Sequence, residues 1–189
     1  TREEFLTQLT SNKKQISTSQ APIPDMKAAF EKGLRQSDAV IMISLSSGIS
    51  GTYNSLKRLN ERYEEENVSV VDSKSAAAGQ GLVVKMAAKA AHAGKPVEEV
   101  VQIAEKAAEN ARQFISILTM KYAVKGGRVK RSTGILLTLL RLKPVLHFDK
   151  AGKIVRVGLA WGRILNRRKT FKLVCEAARK MKQPEFCLS

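Results

Sequence analysis

The stretch AVIMISLSSGISGT at residues 39–52 decides the fold of this chain. It begins with five apolar residues in a row, as expected for a strand that is buried on both faces of a parallel sheet. Serines and glycines follow, and a helical pattern starts at Thr52. Open α/β sheets bind their ligands at the edge where a strand gives way to a helix through such a loop. The stretch therefore predicts an α/β fold with a candidate binding loop at residues 45–51.

The chain around this stretch alternates between helical and extended patterns. Helices are predicted at residues 3–12, 24–36, 52–66, 73–93 and 97–112, and extended segments at 16–19, 39–43 and 68–72. The helix at 73–93 is rich in alanine and small on nearly every side, which predicts burial between layers. Strands that alternate with helices predict a parallel sheet covered by helices.

A second α/β unit is predicted beyond residue 112. Its strands are expected at residues 114–118, 143–148 and 154–159, and its helices at 120–125, 132–142 and 163–182. The last helix is basic and amphipathic, and residues 149–152 form a turn between two strands. We place a domain boundary after residue 112, which gives an N-terminal domain at 1–112 and a C-terminal domain at 113–189.

The net charge of +16 is concentrated in the second of these domains. Residues 1–112 contain 15 Lys and Arg against 14 Asp and Glu, a balance of +1, whereas residues 113–189 contain 18 against 3, a balance of +15. A surface this basic suits a nucleic acid, anionic lipid or an acidic protein partner. The alternative is a solvated face whose acidic counterpart lies in sequence outside this chain. Charge alone does not choose between these interpretations.

Composition argues against several classes of protein. The two cysteines, Cys175 and Cys187, have neither the density of a disulfide scaffold nor the spacing of a zinc site, which indicates a reducing compartment. No run reaches the roughly 18 apolar residues of a membrane span. The opening residues 1–4 do not form a signal peptide. We therefore expect a cytoplasmic protein without a transmembrane segment.

The loop at residues 45–51 suits an anion. Its two glycines allow a ligand to approach the backbone closely, and the start of the following helix offers unpaired N–H groups. The hydroxyls of Ser47, Ser50 and Thr52 add further donors for a carboxylate or phosphate. The alternative is that these serines only cap the helix.

Two further segments are candidates for binding the same ligand. The hydroxyl cluster at residues 17–20 faces the same edge of the sheet if its extended segment is a parallel neighbour of the strand at 39–43; taken alone, it is a helix-capping turn. Arg128 follows two glycines, and its guanidinium can hold a carboxylate with two hydrogen bonds. Taken alone, this arginine belongs to a surface turn.

Four motifs occur in order and at suitable spacing. They are Thr18-Ser19-Gln20-Ala21-Pro22, Ser46-Ser47-Gly48-Ile49-Ser50-Gly51-Thr52-Tyr53, Val71-Asp72-Ser73-Lys74-Ser75 with Gly79-Gln80-Gly81, and Lys125-Gly126-Gly127-Arg128. Together they resemble the DegV family of bacterial proteins, and the resemblance runs from the first helix to about Lys172. The four motifs in order are far more specific than any one glycine pattern.

The resemblance implies a carrier and not an enzyme. It implies two α/β domains with a long-chain fatty acid between them, whose carboxylate is held by hydroxyls that fall here on Thr18 and on Ser50, next to Gly51. Arg128 matches a third residue near the head group. Similar proteins present the bound acid to a separate ATP-dependent kinase, which forms an acyl phosphate. A fatty acid ligand and a fatty acid kinase partner are thus implied, with no catalytic residue, cofactor or metal.

The chain departs from the family pattern at both ends. Relatives begin with a strand and an Asp-Ser or Asp-Thr loop, whereas this chain opens in a helix. They also continue past the last helix into a further strand and helix that carry another polar residue near the carboxylate. We therefore expect a chain that is truncated at both ends, with an incomplete C-terminal domain.

Six apolar residues are candidates for the wall around the acyl tail, although a leucine-rich helix is also ordinary core. They are Ile135, Leu136, Leu137, Leu139, Leu140 and Leu142.

A serine hydrolase is the first alternative, because Ser50 lies on a strand-to-helix turn. The sequence from Gly48 to Gly51 lacks the Gly-x-Ser-x-Gly spacing of a nucleophile elbow, since a threonine takes the place of the second glycine. His92 and His147 are the only candidate bases. Their positions on an alanine-rich helix and in a strand favour structural or solvated roles.

Nucleic-acid binding by residues 113–189 is the second alternative, and it rests on their charge. Trp161 and Phe171 are the only aromatic pair suited to stacking on bases. No helix-turn-helix or zinc-finger motif is recognised, so a nucleic acid is not the expected partner. Docking onto an acidic kinase surface would use the same charge, and a transient contact with a membrane surface stays open.

Overall fold

The computed structural model describes residues 1–11, 18–62, 67–117, 119–126 and 142–187. The helices in these ranges are α1 (Arg2–Thr10), α2 (Ile23–Leu34), α3 (Thr52–Asn60), α4 (Ala77–His92), α5 (Val97–Asn110), α6 (Lys121–Lys125) and α7 (Gly162–Ala178). The strands are β1 (Val40–Ser44), β2 (Val68–Asp72), β3 (Phe114–Ser116), β4 (Leu142–Phe148) and β5 (Ile154–Trp161). Every helix in these ranges is too short or too polar to span a lipid bilayer.

The strands β1 and β2 form a parallel pair whose two faces are both covered. Ser44 lies opposite Asp72 in the register, so the two strands end together. One face packs against α2 and α3 and the other against α4 and α5, because successive side chains of a strand point to opposite sides. The first core contains the buried residues Met26, Phe30, Leu56, Leu59 and Val68. The second contains Val71, Val83, Ala87, Ala90, Val100, Ala104 and Ala108. The predicted α/β fold, a parallel pair covered by helices, is confirmed.

Helix α4 begins four residues later than predicted. The predicted helix starts at Ser73, but Ser73 Oγ donates to Ser75 O at 3.1 Å and accepts the N–H of Ser75 at 3.3 Å. Such local bonds from serine compete with the helical bonds of the backbone, so the helix starts only at Ala77. The prediction that this helix is buried between two layers was wrong. The helix buries a single stripe, which consists of Gly79, Val83, Ala87 and Ala90.

The C-terminal part of the chain forms an antiparallel sheet in the order β3-β4-β5, with α7 packed against it. Residues 144–146 and Phe148 of the central strand are buried. Helix α7 turns Asn166 to the sheet, where its side chain is fully buried. Its apolar residues do not all share that face, since Ile164 and Phe171 are 69% and 71% exposed. The predicted basic helix is present, but it ends at Ala178.

Several predicted features fall outside the described residues. The helix predicted at 132–142 is among them, except for Leu142, which opens β4. Within the extended segment predicted at 16–19, the two described residues, Thr18 and Ser19, have no regular structure. The proposed domain boundary after residue 112 falls in the connection between α5 and β3, and it stays a prediction.

The C-terminal residues contact α4 through a carboxylate. Lys85 Nζ donates to Glu185 Oε2 at 2.8 Å, and Lys89 Nζ donates to Glu185 Oε1 at 3.2 Å. These hydrogen bonds, the one from Lys85 first, lower the pKa of Glu185. The same bond raises the pKa of Lys85. Because all three side chains are exposed, the contact is sensitive to salt.

We expect the Glu185 carboxyl to titrate below its ordinary pKa of 4.5. The two lysines stabilise the carboxylate, so the contact is present above this pH and is lost as the pH falls through the lowered pKa. A ¹³C NMR titration of the Glu185 side chain measures the midpoint. Combining Lys85→Gln with Lys89→Gln should return the midpoint toward the ordinary value. The control Lys95→Gln, which removes an exposed pair elsewhere on the chain, should not. An ordinary midpoint in the unmodified chain would contradict the contact.

Candidate functional site

The candidate site lies at the edge of the parallel pair where β1 and β2 end. The loop at residues 45–51 leads from β1 to α3, and the loop at 73–76 leads from β2 to α4. Ser46 N donates to Ser75 O at 2.7 Å, which joins the two loops. This is the edge at which open α/β sheets bind ligands.

Asp72, the last residue of β2, holds the first loop in place. Its Oδ2 accepts the hydroxyl of Ser47 at 2.6 Å, and its Oδ1 accepts the N–H of Ser47 at 3.2 Å. The same Oδ1 accepts the N–H of Lys74 at 2.9 Å. Charge-assisted hydrogen bonds of this kind are about twice as strong as neutral ones. Ser47, a predicted donor to the ligand, is thus already committed to Asp72.

Ser50 and Thr52 form a pair of hydroxyls at the start of α3. Their oxygens lie 2.8 Å apart, and Ser50 Oγ accepts the N–H of Thr52 at 3.2 Å. Ser50 therefore accepts the first N–H of α3 from the position before Gly51, which is the N-cap residue. One hydroxyl hydrogen serves the pair, so the other remains to donate to a ligand. This hydrogen bond and ligand binding are compatible at this serine.

The segment at residues 18–22 reaches the same loop through Gln20. Its Nε2 donates to Ser55 Oγ of α3 at 3.0 Å, and a Cβ added at Gly51 would lie 2.6 Å from Gln20 Oε1. Two residues of chain span at most about 7 Å, so Thr18 lies within that distance of Gln20. The segment that carries Thr18 therefore reaches the loop that carries Ser50.

Arg128 and the preceding Gly127 lie outside the described residues, as do the candidate wall residues at 135–140. The short helix predicted before them is confirmed as α6, which ends next to Gly126.

Neither candidate base of the hydrolase alternative contacts Ser50. His147 lies on β4, where its Nδ1 is 2.9 Å from Gln113 O and its ring stacks on Phe114 with centroids 4.9 Å apart. His92 is exposed at the end of α4. The hydroxyl of Ser50 pairs with Thr52 instead. In the described ranges, no three His, Cys, Asp or Glu side chains are grouped to hold a metal ion.

A cleft of about 690 Å³ opens beside the loop at residues 73–76. It is lined by Lys74 and Ser75 together with residues 108–113 and 147–150. Neither Thr18 nor Ser50 lines this cleft, and its walls carry charges of both signs. It is therefore not the apolar slot that an acyl tail requires.

Sequence reasoning missed the residues that hold the loop. Asp72 belongs to a quoted motif, and an acidic residue at a strand end is a signal that could have identified it. The turn containing Gly152 was predicted, but its contact with Ser46, at 2.6 Å, joins residues 106 positions apart. No local pattern predicts such a contact.

The sequence matches relatives along nearly all of its length. The family model described as uncharacterised protein, DegV family, matches residues 1–188. A DegV domain-containing protein of Clostridium acetobutylicum is 34% identical over 137 residues, which cover 72% of this chain and 49% of that protein. One from Clostridium perfringens is 29% identical over 168 residues, or 87% of this chain and 56% of that protein. The chain thus spans about half the length of the curated relatives it matches.

Solved structures of similar fold include a DegV family protein. A DegV family protein of Thermus thermophilus, described by its fatty acid binding, has a TM-score of 0.83 at 27% identity and covers 96% of this chain and 64% of that one. A Thermotoga maritima protein, described as revealing a fatty acid binding function, has a TM-score of 0.74 at 25% identity. The match covers 94% of this chain and 60% of that one. The fatty acid kinase (Fak) B3 protein of Streptococcus pneumoniae, loaded with linoleic acid, has a TM-score of 0.82 at 20% identity. The match covers 93% of this chain and 62% of that one, and at this identity it shows a similar fold alone.

The family match covers all but the last residue, and two of the four DegV motifs lie at the edge where β1 and β2 end. The chain belongs to the DegV family.

Proposed function

We propose that the chain binds a long-chain fatty acid and holds its carboxylate with the hydroxyls of Thr18 and Ser50. The observation that supports this most is the approach of the segment at 18–22 to the loop at 45–51, at the carboxyl edge of the parallel pair. Donors that converge from two segments suit the two oxygens of a carboxylate. The similar Thermus thermophilus protein, a fatty acid binder, supports the choice of ligand.

Each proposed site residue has its own role. Ser50 donates its hydroxyl, or that of Thr52 through the pair, to one carboxylate oxygen. Gly51 leaves the loop backbone open to the ligand and to Gln20, whose Oε1 lies 2.6 Å from where a Cβ would stand. Arg128, proposed from its motif alone, closes over the carboxylate with paired hydrogen bonds.

The acyl tail and the head group contribute differently to binding. Burial of about 14 methylenes at roughly 0.8 kcal/mol each offers on the order of 11 kcal/mol before the costs of association. A charge-assisted hydrogen bond contributes about 1.5–3 kcal/mol. The tail therefore sets the affinity, and the hydroxyls set the orientation and the preference for an acid.

We further propose that the protein is a cytoplasmic carrier that needs no cofactor and hands its ligand to a separate kinase. The Streptococcus pneumoniae protein of the same fold is a component of a fatty acid kinase. The charge of residues 113–189 suits docking onto an acidic protein surface or a transient contact with a membrane. On α7, Arg167 and Arg168 are exposed and available for such a contact.

Extraction of the purified protein and native mass spectrometry test the choice of ligand. A fatty acid that co-purifies in a one-to-one complex is the expected result. Failure to find one, and failure to load the stripped protein with palmitate, would reject the proposed function.

Ser50→Ala should weaken palmitate binding by about 10-fold, since one charge-assisted hydrogen bond is lost and the tail is untouched. Isothermal titration calorimetry on stripped protein measures the change. The matched control is Ser37→Ala, an exposed serine just before β1, at the opposite end of the strand. Equal affinities for the Ser50→Ala and Ser37→Ala variants would remove Ser50 from the site.

A further inference from the structure

The loop that carries Ser50 is built around a single buried serine. Ser46 Oγ donates to Gly152 O, in the turn between β4 and β5, at 2.6 Å, and accepts the N–H of Gly48 at 3.1 Å. The carbonyl of Ser46 accepts the N–H groups of Ile49 and Ser50, both at 3.2 Å. Ser46 thus fixes the backbone of Ser50 and ties it to the antiparallel sheet.

The two backbones meet with no space between them. A Cβ added at Gly48 would lie 2.4 Å from Gly152 O, and one added at Gly152 would lie 2.1 Å from Ser46 Oγ. Gly152 also has a φ of +70°, which disfavours any other residue there. Ser46 is 0% exposed and Gly152 is buried, so water does not take the place of their hydrogen bond.

The turn that receives this bond is itself held by hydrogen bonds. Gly152 N donates to Asp149 O at 2.9 Å, and Asp149 N donates to Lys153 O at 3.0 Å. Asp149 Oδ1 accepts the N–H groups of Ala151 and Lys153, each at 2.9 Å. The carbonyl of Gly152 is therefore in place before any ligand arrives.

We propose that Ser46 and Gly152 are positioning residues for the head-group site, which act through the loop backbone and set where the Ser50 hydroxyl stands. This rests on the proposed function, in which Ser50 binds a carboxylate. Donors distinguish an acid from a neutral head group only when they are held in a fixed geometry. When the tie is lost, the loop relaxes around Ser50, and the preference for an acid falls while burial of the tail is unchanged.

The test compares palmitate with hexadecanol, which has the same tail and no charge. In the Ser46→Ala variant, the ratio of the two affinities should fall about fivefold, the size expected for one neutral hydrogen bond, while hexadecanol binding stays within about twofold. The matched control is Thr170→Val, which removes a hydroxyl that donates to Asn166 O at 2.9 Å within α7 and has no bond to the loop at residues 45–51. A purely structural role of Ser46 would weaken both ligands together.

The outcomes separate this proposal from the function it rests on. A ratio that is unchanged in Ser46→Ala, or that falls equally in Thr170→Val, overturns the positioning role. A wild-type chain without preference for palmitate overturns the proposed function, and this role with it. If Ser46→Ala does not fold, the same ratio is measured in two variants of the turn that holds Gly152. Asp149→Ala should lower the ratio, whereas Asp149→Asn, which keeps an acceptor for Ala151 and Lys153, should leave it near the wild-type value. Equal ratios in these two variants would overturn the positioning role.

Discussion

Phe30→Ala is expected to lower the free energy of unfolding by about 3–5 kcal/mol. Phe30 is 0% exposed on α2, at the centre of the core that joins α2 and α3 to the parallel pair. Truncation to alanine removes the burial of an aromatic ring and leaves a cavity that the surrounding side chains fill only in part. The same core sets the positions of the segments that precede these two helices, so palmitate binding should weaken as well.

Urea unfolding of the two proteins measures this loss. Phe171→Ala is the matched control, because Phe171 is 71% exposed on α7 and its truncation should change stability by no more than about 0.5 kcal/mol. A loss below about 1 kcal/mol in Phe30→Ala would mean that α2 does not share a core with the strands.

Asn166→Ala is expected to cost about 2–4 kcal/mol, because the hydrogen bonds of one fully buried side chain to three groups of the sheet are lost together. Asn166 Nδ2 donates to Lys143 O at 2.9 Å and to Pro144 O at 3.2 Å, and Asn166 Oδ1 accepts the hydroxyl of Ser116. The side chain is 0% exposed, so water does not replace these bonds. They connect α7 to both β3 and β4.

Thermal and urea unfolding test this network. Asn54→Ala, at an exposed asparagine on α3, is the matched control and should stay within about 0.5 kcal/mol of the unmodified chain. If Asn166→Ala unfolds as the control does, α7 is held to the sheet by other contacts.

The layers of the fold follow from alternation that is visible in the sequence. Val40 and Met42 pack on one core and Ile41 and Ile43 on the other, as an apolar run in a doubly covered strand requires. The start of α4 was misplaced because the prediction extended the alanine-rich helix back through residues 73–76, whereas the Ser73 hydroxyl bonds to its own loop. Propensity over a window does not register such a local hydrogen bond.

Only those features of the candidate site that depend on neighbouring residues in the sequence could be predicted. Ser50 follows an apolar strand and precedes a helix, and these two features place it at the carboxyl edge of the sheet. The position of the Ser50 loop also depends on the hydrogen bond from Ser46 to Gly152 O, in the turn between β4 and β5. A contact between distant positions depends on the docking of whole elements, and no pattern near residue 46 encodes it.

The chain contains one tryptophan, Trp161, which is 66% exposed where β5 meets α7. Its indole is thus the single tryptophan fluorophore of the chain, which excitation at the red edge of the absorption band selects over the three tyrosines, and it lies at the basic surface. A macromolecule that covers this surface would shield the indole from water and shift its emission to shorter wavelength. A small molecule that binds at the loop of residues 45–51 would leave the emission wavelength unchanged. The tryptophan emission of the unlabelled protein can therefore distinguish the binding of a small ligand from the docking of a macromolecular partner.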